Sequence, residues 1–298
     1  MATVNVSHLF KTYAGKAAVK DLSFSVSPGE ILGLIGPNGA GKSSTIKMIL
    51  DFMKPDTGDI TIFGEQMNEA AKNQIGYLPE EKGLYKKLSA MELILYFASL
   101  KGMNKSAARK KADELLQRTG MFESRKKKIK ELSKGMGQMI QFIVTIIHDP
   151  ELLILDEPFS GLDPVNTEKL KTIVSGLRDE GKAIILCTHQ MNQVEEICDR
   201  VLMINHGQTV LHGDLNEIKK KYRKSSVQVS VDGELGQLSG VIDQRVINGS
   251  VELIPASGTT PQMILDQIRN NGTPISRFEI TTPTLNDIFL TLAGGDNE

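Results

Sequence analysis

EILGLIGPNGAGKSS, residues Glu30 to Ser44, decides the fold. Ile31 to Ile35 is a short apolar run behind the turn Ser27-Pro28-Gly29, and it reads as a strand. Gly36-Pro37-Asn38-Gly39-Ala40-Gly41-Lys42-Ser43 then meets the spacing of a phosphate-binding loop, and a helix is predicted over Ser43 to Met53. The glycines let successive backbone amides turn toward phosphate oxygens. The helix adds the partial positive charge of its N-terminus, next to Ser44. Lys42 is placed to reach the β- and γ-phosphates, and the Ser43 hydroxyl to face Mg²⁺. The loop alone leaves open which nucleoside triphosphatase this is.

A second run, LLILDEP from Leu152 to Pro158, supplies acids. Four apolar residues form a buried strand, and α/β sheets place ligands beyond the C-terminal ends of their strands. Asp156 suits the Mg²⁺ shell, and Glu157 suits the role of base toward an attacking water. A bland alternative is a helix cap followed by a turn, but the phosphate loop already calls for a metal carboxylate. His189 ends another apolar strand, AIILCTH, where an imidazole can hold a γ-phosphate.

Composition narrows the remaining classes. A net charge of −1 over 298 residues argues against nucleic-acid binding by broad attraction. Cys187 and Cys198 form no disulfide framework, which fits a reducing compartment. No apolar run approaches the ~20 residues of a membrane span, and no signal peptide is evident at the N-terminus. Service to a membrane therefore requires docking to other subunits.

Short apolar strands alternate with helices on both sides of a mostly helical segment, about residues 88–148. The pattern predicts a mainly parallel sheet, an antiparallel β subdomain and an inserted helical subdomain. The basic run Lys219 to Lys224 marks the expected end of a core spanning residues 1–222. Residues 223–298 predict a small α+β accessory domain, with a hairpin through Asn248-Gly249 and helices at Pro261 to Arg269 and Leu285 to Leu292. The basic runs at 125–130 and 219–224 read as solvated faces or linkers.

Between the two nucleotide motifs lies ELSKG at Glu131 to Gly135, and after LLILDEP comes SGLD, ending at Asp163. With these in order, residues 3 to 222 resemble the ATP-binding subunits of ABC transporters, a P-loop nucleoside triphosphatase fold. The resemblance implies ATP and Mg²⁺ as ligands. It makes Leu132 to Met136 a signature segment whose Ser133 and Gly135 cap the γ-phosphate of ATP held by a second copy. It also implies that Tyr13 stacks on adenine and that Asp163 communicates across a two-subunit interface. Ile75-Gly76-Tyr77-Leu78-Pro79-Glu80 matches the loop joining core to insert, with Glu80 near the metal. Implied partners are transmembrane permease subunits and an identical or related ATPase chain, at the cytoplasmic face of the cell membrane, with no nucleic acid. PTLNDIFLTLAG, Pro283 to Gly294, resembles the tail of sodium-efflux and drug- or antibiotic-efflux ATPases, which favours an exporter.

The chain departs from the family pattern at three places. Position 80 is Glu where many members have Gln, a form that occurs in GYLPE exporters. Met136 and Met139 stand where a polar and a basic residue are common, and Gly137 weakens the start of a helix by ~1 kcal/mol. Lost hydrogen bonds at ~1 kcal/mol each would slow turnover several-fold. The rival readings are a soluble ABC-type protein acting on DNA or ribosomes and a regulatory ATP-binding module with weak hydrolysis. The first lacks its usual coiled-coil insertions, zinc cysteines or second cassette.

Overall fold

The computed structural model describes residues 2–81, 83, 85–222, 226–231, 233, 235–247, 249–256, 258–281 and 283–294. They form two compact units, Met1–Leu215 and Asn216–Glu298.

In the first unit, β1 (Val4–Tyr13), β2 (Lys16–Val26) and β4 (Thr57–Ile62) make an antiparallel sheet in the order β2-β1-β4. The central sheet runs β5-β6-β7-β3-β8-β9, from β3 (Ile31–Ile35), β5 (Ile75–Leu78), β6 (Leu152–Asp156), β7 (Ala183–Thr188), β8 (Arg200–Asn205) and β9 (Gln208–Asp214). All its pairings are parallel except β8 with β9. Every residue of β3, β6 and β7 is buried, which explains why these strands read as continuous apolar runs without alternation. The helices α1 (Lys42–Ile49), α2 (Glu69–Asn73), α6 (Pro164–Asp179) and α7 (Met191–Ile197) accompany the sheet. A Cβ at Gly33 would come within 2.7 Å of Val194, so α7 approaches β3 closely at that glycine.

Three helices make the insert: α3 (Ala90–Leu100), α4 (Lys105–Arg118) and α5 (Lys134–Ile146). Each has a side-chain N-cap, Ser89 (in a capping box with Glu92), Asn104 and Ser133, which satisfies amides the first turn leaves over. Gly137, early in α5, has open space where a Cβ would stand. Gly137→Ala should therefore raise stability by roughly 0.5–1 kcal/mol, through reduced backbone freedom of the unfolded chain. A higher urea midpoint at unchanged slope checks this.

Three expectations are corrected. Helix α1 stops at Ile49 instead of continuing to Met53. Asp51 adopts φ 60°, and the amides of Asp51 and Phe52 bond the carbonyls of Met48 and Lys47, a Schellman closure without the usual glycine. Ile75 to Leu78, expected to be loop, is the edge strand β5, and connecting chain begins only at Pro79. Pairing with β6 and the close approach of α5 at Gly76 bury it. Strand β9 was not foreseen, because its turn uses His206 and Gly207, both at positive φ, and His is a rare choice there.

The second unit begins within α8 (Leu215–Lys221), which contains the first half of the basic run; Arg223 and Lys224 lie outside the described residues. Its antiparallel sheet, β11-β12-β10-β13, is built from β10 (Ser226–Val231), β11 (Val241–Ile247), β12 (Ser250–Pro255) and β13 (Ile275–Thr281). Ile247 pairs with Ser250 in the expected hairpin, whose Asn248 lies outside the described residues. Helix α9 (Pro261–Asn270) buries Ile264 and Ile268 among Val227, Val229 and Leu253, at about 1.5–3 kcal/mol for each large side chain. The last element among the described residues is α10 (Leu285–Gly294).

Candidate functional site

The phosphate loop leaves β3 through Gly36, at φ 150°, where a Cβ would come within 2.1 Å of the Ile204 carbonyl oxygen. Gly41, at φ 111°, similarly lies against the Ala18 carbonyl oxygen of β2, 2.4 Å from where a Cβ would stand. Both glycines are thus required by close backbone approach as well as by conformation. Directly after Gly41, Lys42 is buried and folds back over the loop. Its Nζ donates to the carbonyls of Gly36 (2.7 Å) and Pro37 (3.1 Å). No side chain caps α1, so its first amides are presented as an anion-binding end.

Asn38, Gly39, Gly41, Lys42, Ser43 and Ser44 line one side of a cavity of about 220 Å³. Glu80, Asp156, Glu157 and His189 line the other, and Ala18 completes it. Five separate segments of sequence therefore converge here. Gly36, Pro37 and Ala40 do not line the cavity; Gly36 and Pro37 hold Lys42, and the Ala40 carbonyl accepts from the Gly207 amide.

The two acids of LLILDEP have different surroundings. Burial raises the Asp156 carboxyl above the usual carboxylate range; the bond with Cys187 opposes this, and the negative charges of Glu80 and Glu157 add to it. Burial also pushes the Cys187 thiol far up, leaving it protonated as a donor. Glu157 has φ 49° and is 7% exposed. Its Oε2 accepts from the Thr188 hydroxyl (2.9 Å), and its Oε1 accepts from the His189 amide (2.9 Å). His189 Nδ1 lies 2.6 Å from the same Oε1, in an imidazole side chain that is 55% exposed. The carboxylate is held rigidly, and the imidazole is fixed to it by one edge.

Tyr13 ends β1 outside the cavity lining, half exposed. Its hydroxyl donates to Met53 Sδ at 2.8 Å and lies 3.4 Å from Ser44 Oγ. The strand end is tied to the turn after α1 through Asp56, which accepts from Lys11 and from the Thr12 amide and hydroxyl. These bonds, led by the one from Lys11, lower the Asp56 carboxyl to about 2.

Ser133, Gly135 and Asp163 do not line the cavity. The Ser133 hydroxyl accepts from the Met136 amide at 3.2 Å, so it caps α5 in its own chain. Asp163 caps α6 by accepting from the Asn166 amide, which with the Asn166 side chain lowers its carboxyl below the usual range. A Cβ on Gly135 would stand 3.2 Å from the Gly161 carbonyl, so the start of α5 sits against the SGLD turn. Met139 is 1% exposed and belongs to the core, so the effect on turnover expected from an absent polar surface falls to Met136 alone.

Two functional links had no recognised sequence signal. Gln138 donates to the Pro158 carbonyl (3.1 Å), and Gln141 to the carbonyls of Pro79 (3.4 Å) and Glu81 (3.5 Å). Helix α5 is thereby bonded to the chain just past Glu157 and to the chain around Glu80. Thr188 was also missed, although it directly precedes His189 in sequence.

Comparisons with known proteins bear on the fold and the family. The ABC transporter family model matches residues 19–160. A second model, the C-terminal domain of DrrA1-3-like ATP-binding proteins, matches residues 213–293. The ABC transporter ATP-binding protein YhaQ of Bacillus subtilis is 40% identical over 98% of this chain and 98% of its own length. The Nod factor export ATP-binding protein I of Rhizobium etli is 32% identical over 100% of this chain and 95% of its own. The linearmycin resistance ATP-binding protein LnrL of Bacillus subtilis is 36% identical over 77% and 75%. Among solved structures, an ATP-binding subunit of an ABC transporter superposes with a TM-score of 0.69 at 30% identity, over 74% of this chain and 93% of that one. The chain therefore belongs to the ATP-binding subunits of ABC transporters, with a DrrA-like C-terminal domain, and it is an ATPase of that family. Among the described residues no helix is long and apolar enough to cross a membrane.

Proposed function

We propose that this chain powers an exporter by binding and hydrolysing MgATP between two ATPase chains arranged head to tail. The observation that carries the site assignment is the convergence of the phosphate loop with Asp156, Glu157 and His189 around one cavity. The donor set suits Mg²⁺: hard oxygens from Ser43 and Asp156, with Asp156 crowded by Glu80 and Glu157 in a way that a divalent cation relieves. When bound, the metal neutralises developing charge on the β- and γ-phosphate oxygens.

The residues then divide the work. The loop amides from Gly36 to Ser44 cradle the phosphates, and Lys42 exchanges its two carbonyl partners for phosphate oxygens. Tyr13 offers its ring to adenine. Glu157 accepts the proton of the attacking water, and the thrice-held carboxylate costs little reorganisation at that moment. His189, anchored through Nδ1, directs its other edge to the γ-phosphate. Ser133 and Gly135, away from this chain's cavity, serve the ATP of a second chain, and Asp163 lies at that contact.

The membrane partner docks on a second cavity of about 420 Å³, lined by Phe52, Tyr77, Phe97, Lys101, Val144 and His148 among others. It is lined from β5, α3 and α5, and Gln141 of the same α5 holds the carbonyls of Pro79 and Glu81 on either side of Glu80. Nucleotide-driven movement of the insert can therefore pass between the two sites. The names of the relatives that export Nod factor or confer linearmycin resistance support export, and in this reading the subunit works at the cytoplasmic face of the membrane.

The purified protein is expected to release phosphate from ATP with Mg²⁺ and to stop when EDTA is added. Release no faster than that of a Lys42→Ala variant would leave only a nucleotide-binding module.

A further inference from the structure

The accessory sheet ends on β11, an edge strand on which Ile242 is 70% and Val246 79% exposed. Between them stand Asp243, Gln244 and Arg245, the acid and base paired with each other at 2.8 Å. Counted outward from Gln244, the strand is chemically palindromic: opposite charges one residue away on either side, and β-branched apolar side chains two residues away.

An antiparallel second copy laid along this edge, with Gln244 facing its own counterpart, sets Asp243 opposite the second copy's Arg245, and Arg245 opposite its Asp243. Ile242 falls opposite Val246 in the same arrangement. Val246 and Gln244 pair across β12 with Val251 and Leu253, so the new apolar contacts continue the face on which α9 packs. The backbone phase agrees. Ile247 and Ser250 close a two-residue connection, and such a closing pair exchanges its bonds inward. Counting back, Gln244 and Val246 turn their N–H and C=O groups out of the sheet. The bulge between Val241 and Asp243 falls at Ile242 itself, so regular pairing is limited to the stretch that ends there.

We propose that β11 is a self-pairing contact that joins two copies of this chain without nucleotide. A two-fold pairing closes on itself and builds no fibre. Five residues a side fall well short of the ~1,200 Å² of a standard stable interface, so the contact is weak alone. Its effect is to raise the effective concentration of one ATPase core for the other, and it favours a pair of identical chains.

Sedimentation of the full-length, nucleotide-free protein across micromolar concentrations tests this. The wild type should show a concentration-dependent dimer. Asp243→Arg, which opposes like charges at two symmetric positions, should weaken it by on the order of tenfold or more. The double exchange Asp243→Arg with Arg245→Asp restores the palindrome and should restore the dimer. An unchanged circular dichroism spectrum and urea unfolding profile show that each variant, including the second unit, is folded. A wild type that stays monomeric overturns the proposal, as does a dimer indifferent to Asp243→Arg or one not recovered by the double exchange. Because no nucleotide is present, these outcomes are separable from failure of the ATP-bridged arrangement of the cores.

Discussion

Replacing Glu157 by glutamine is expected to leave MgATP affinity within about threefold of wild type while lowering phosphate release by roughly 10³-fold. Glutamine keeps one oxygen for the His189 amide, and its amide nitrogen can donate to the Thr188 hydroxyl instead of accepting from it; these two groups hold Glu157 at 2.9 Å each. What it loses is the ability to take a proton. Single-turnover release and equilibrium binding of a fluorescent ATP analogue separate the two effects. If Glu157→Gln hydrolyses at the wild-type rate, the base lies elsewhere and Glu157 only positions His189.

Gly36→Ala should have the largest structural effect of any single change in the loop. Its Cβ would enter within 2.1 Å of a carbonyl oxygen of β8, at a φ of 150° that alanine avoids. The backbone must shift, and Lys42 loses the carbonyl that holds it at 2.7 Å. A stability loss of about 3 kcal/mol or more and a fall in ATP affinity beyond tenfold are expected. Gly39 is the control: φ is 79°, but nothing lies within 4 Å of its Cβ position. Gly39→Ala should therefore cost only about 1 kcal/mol, from strain alone. Urea titrations of the two variants compare them directly, and equal losses would mean that the contact with Ile204 does not matter.

The parts of the fold legible in sequence are those whose signals are local and covalently near. The phosphate loop, the apolar strands ending at Asp156 and before His189, and the helical insert depend on short-range spacing and burial. What was not legible depends on pairing at a distance or on a backbone conformation unusual for the residue. Ile75 to Leu78 becomes strand only because β6 lies beside it, and α1 ends early because Asp51 adopts a conformation usually left to glycine. At the site the chemical types were readable, but the arrangement was not. Nothing local to Glu157 announces its left-handed backbone or its bond to Thr188, and nothing in α5 marks Gln138 and Gln141 as links to two loops of the site. Ser133 illustrates the opposite difficulty. In this chain alone it is a sound helix cap, and a role toward a second nucleotide requires the second chain.

That shared site is the central claim, and one sedimentation series tests it directly. The full-length chain carries Glu157→Gln to prevent turnover and Asp243→Arg to remove any pairing through β11. It should be monomeric without nucleotide and dimeric with MgATP. Adding Gly135→Asp, which aims a negative charge at the neighbour's γ-phosphate, should abolish the MgATP-induced dimer while each monomer still binds MgATP. A protein that stays monomeric in saturating MgATP, or one that dimerises regardless of Gly135→Asp, would contradict an ATP site built from two chains.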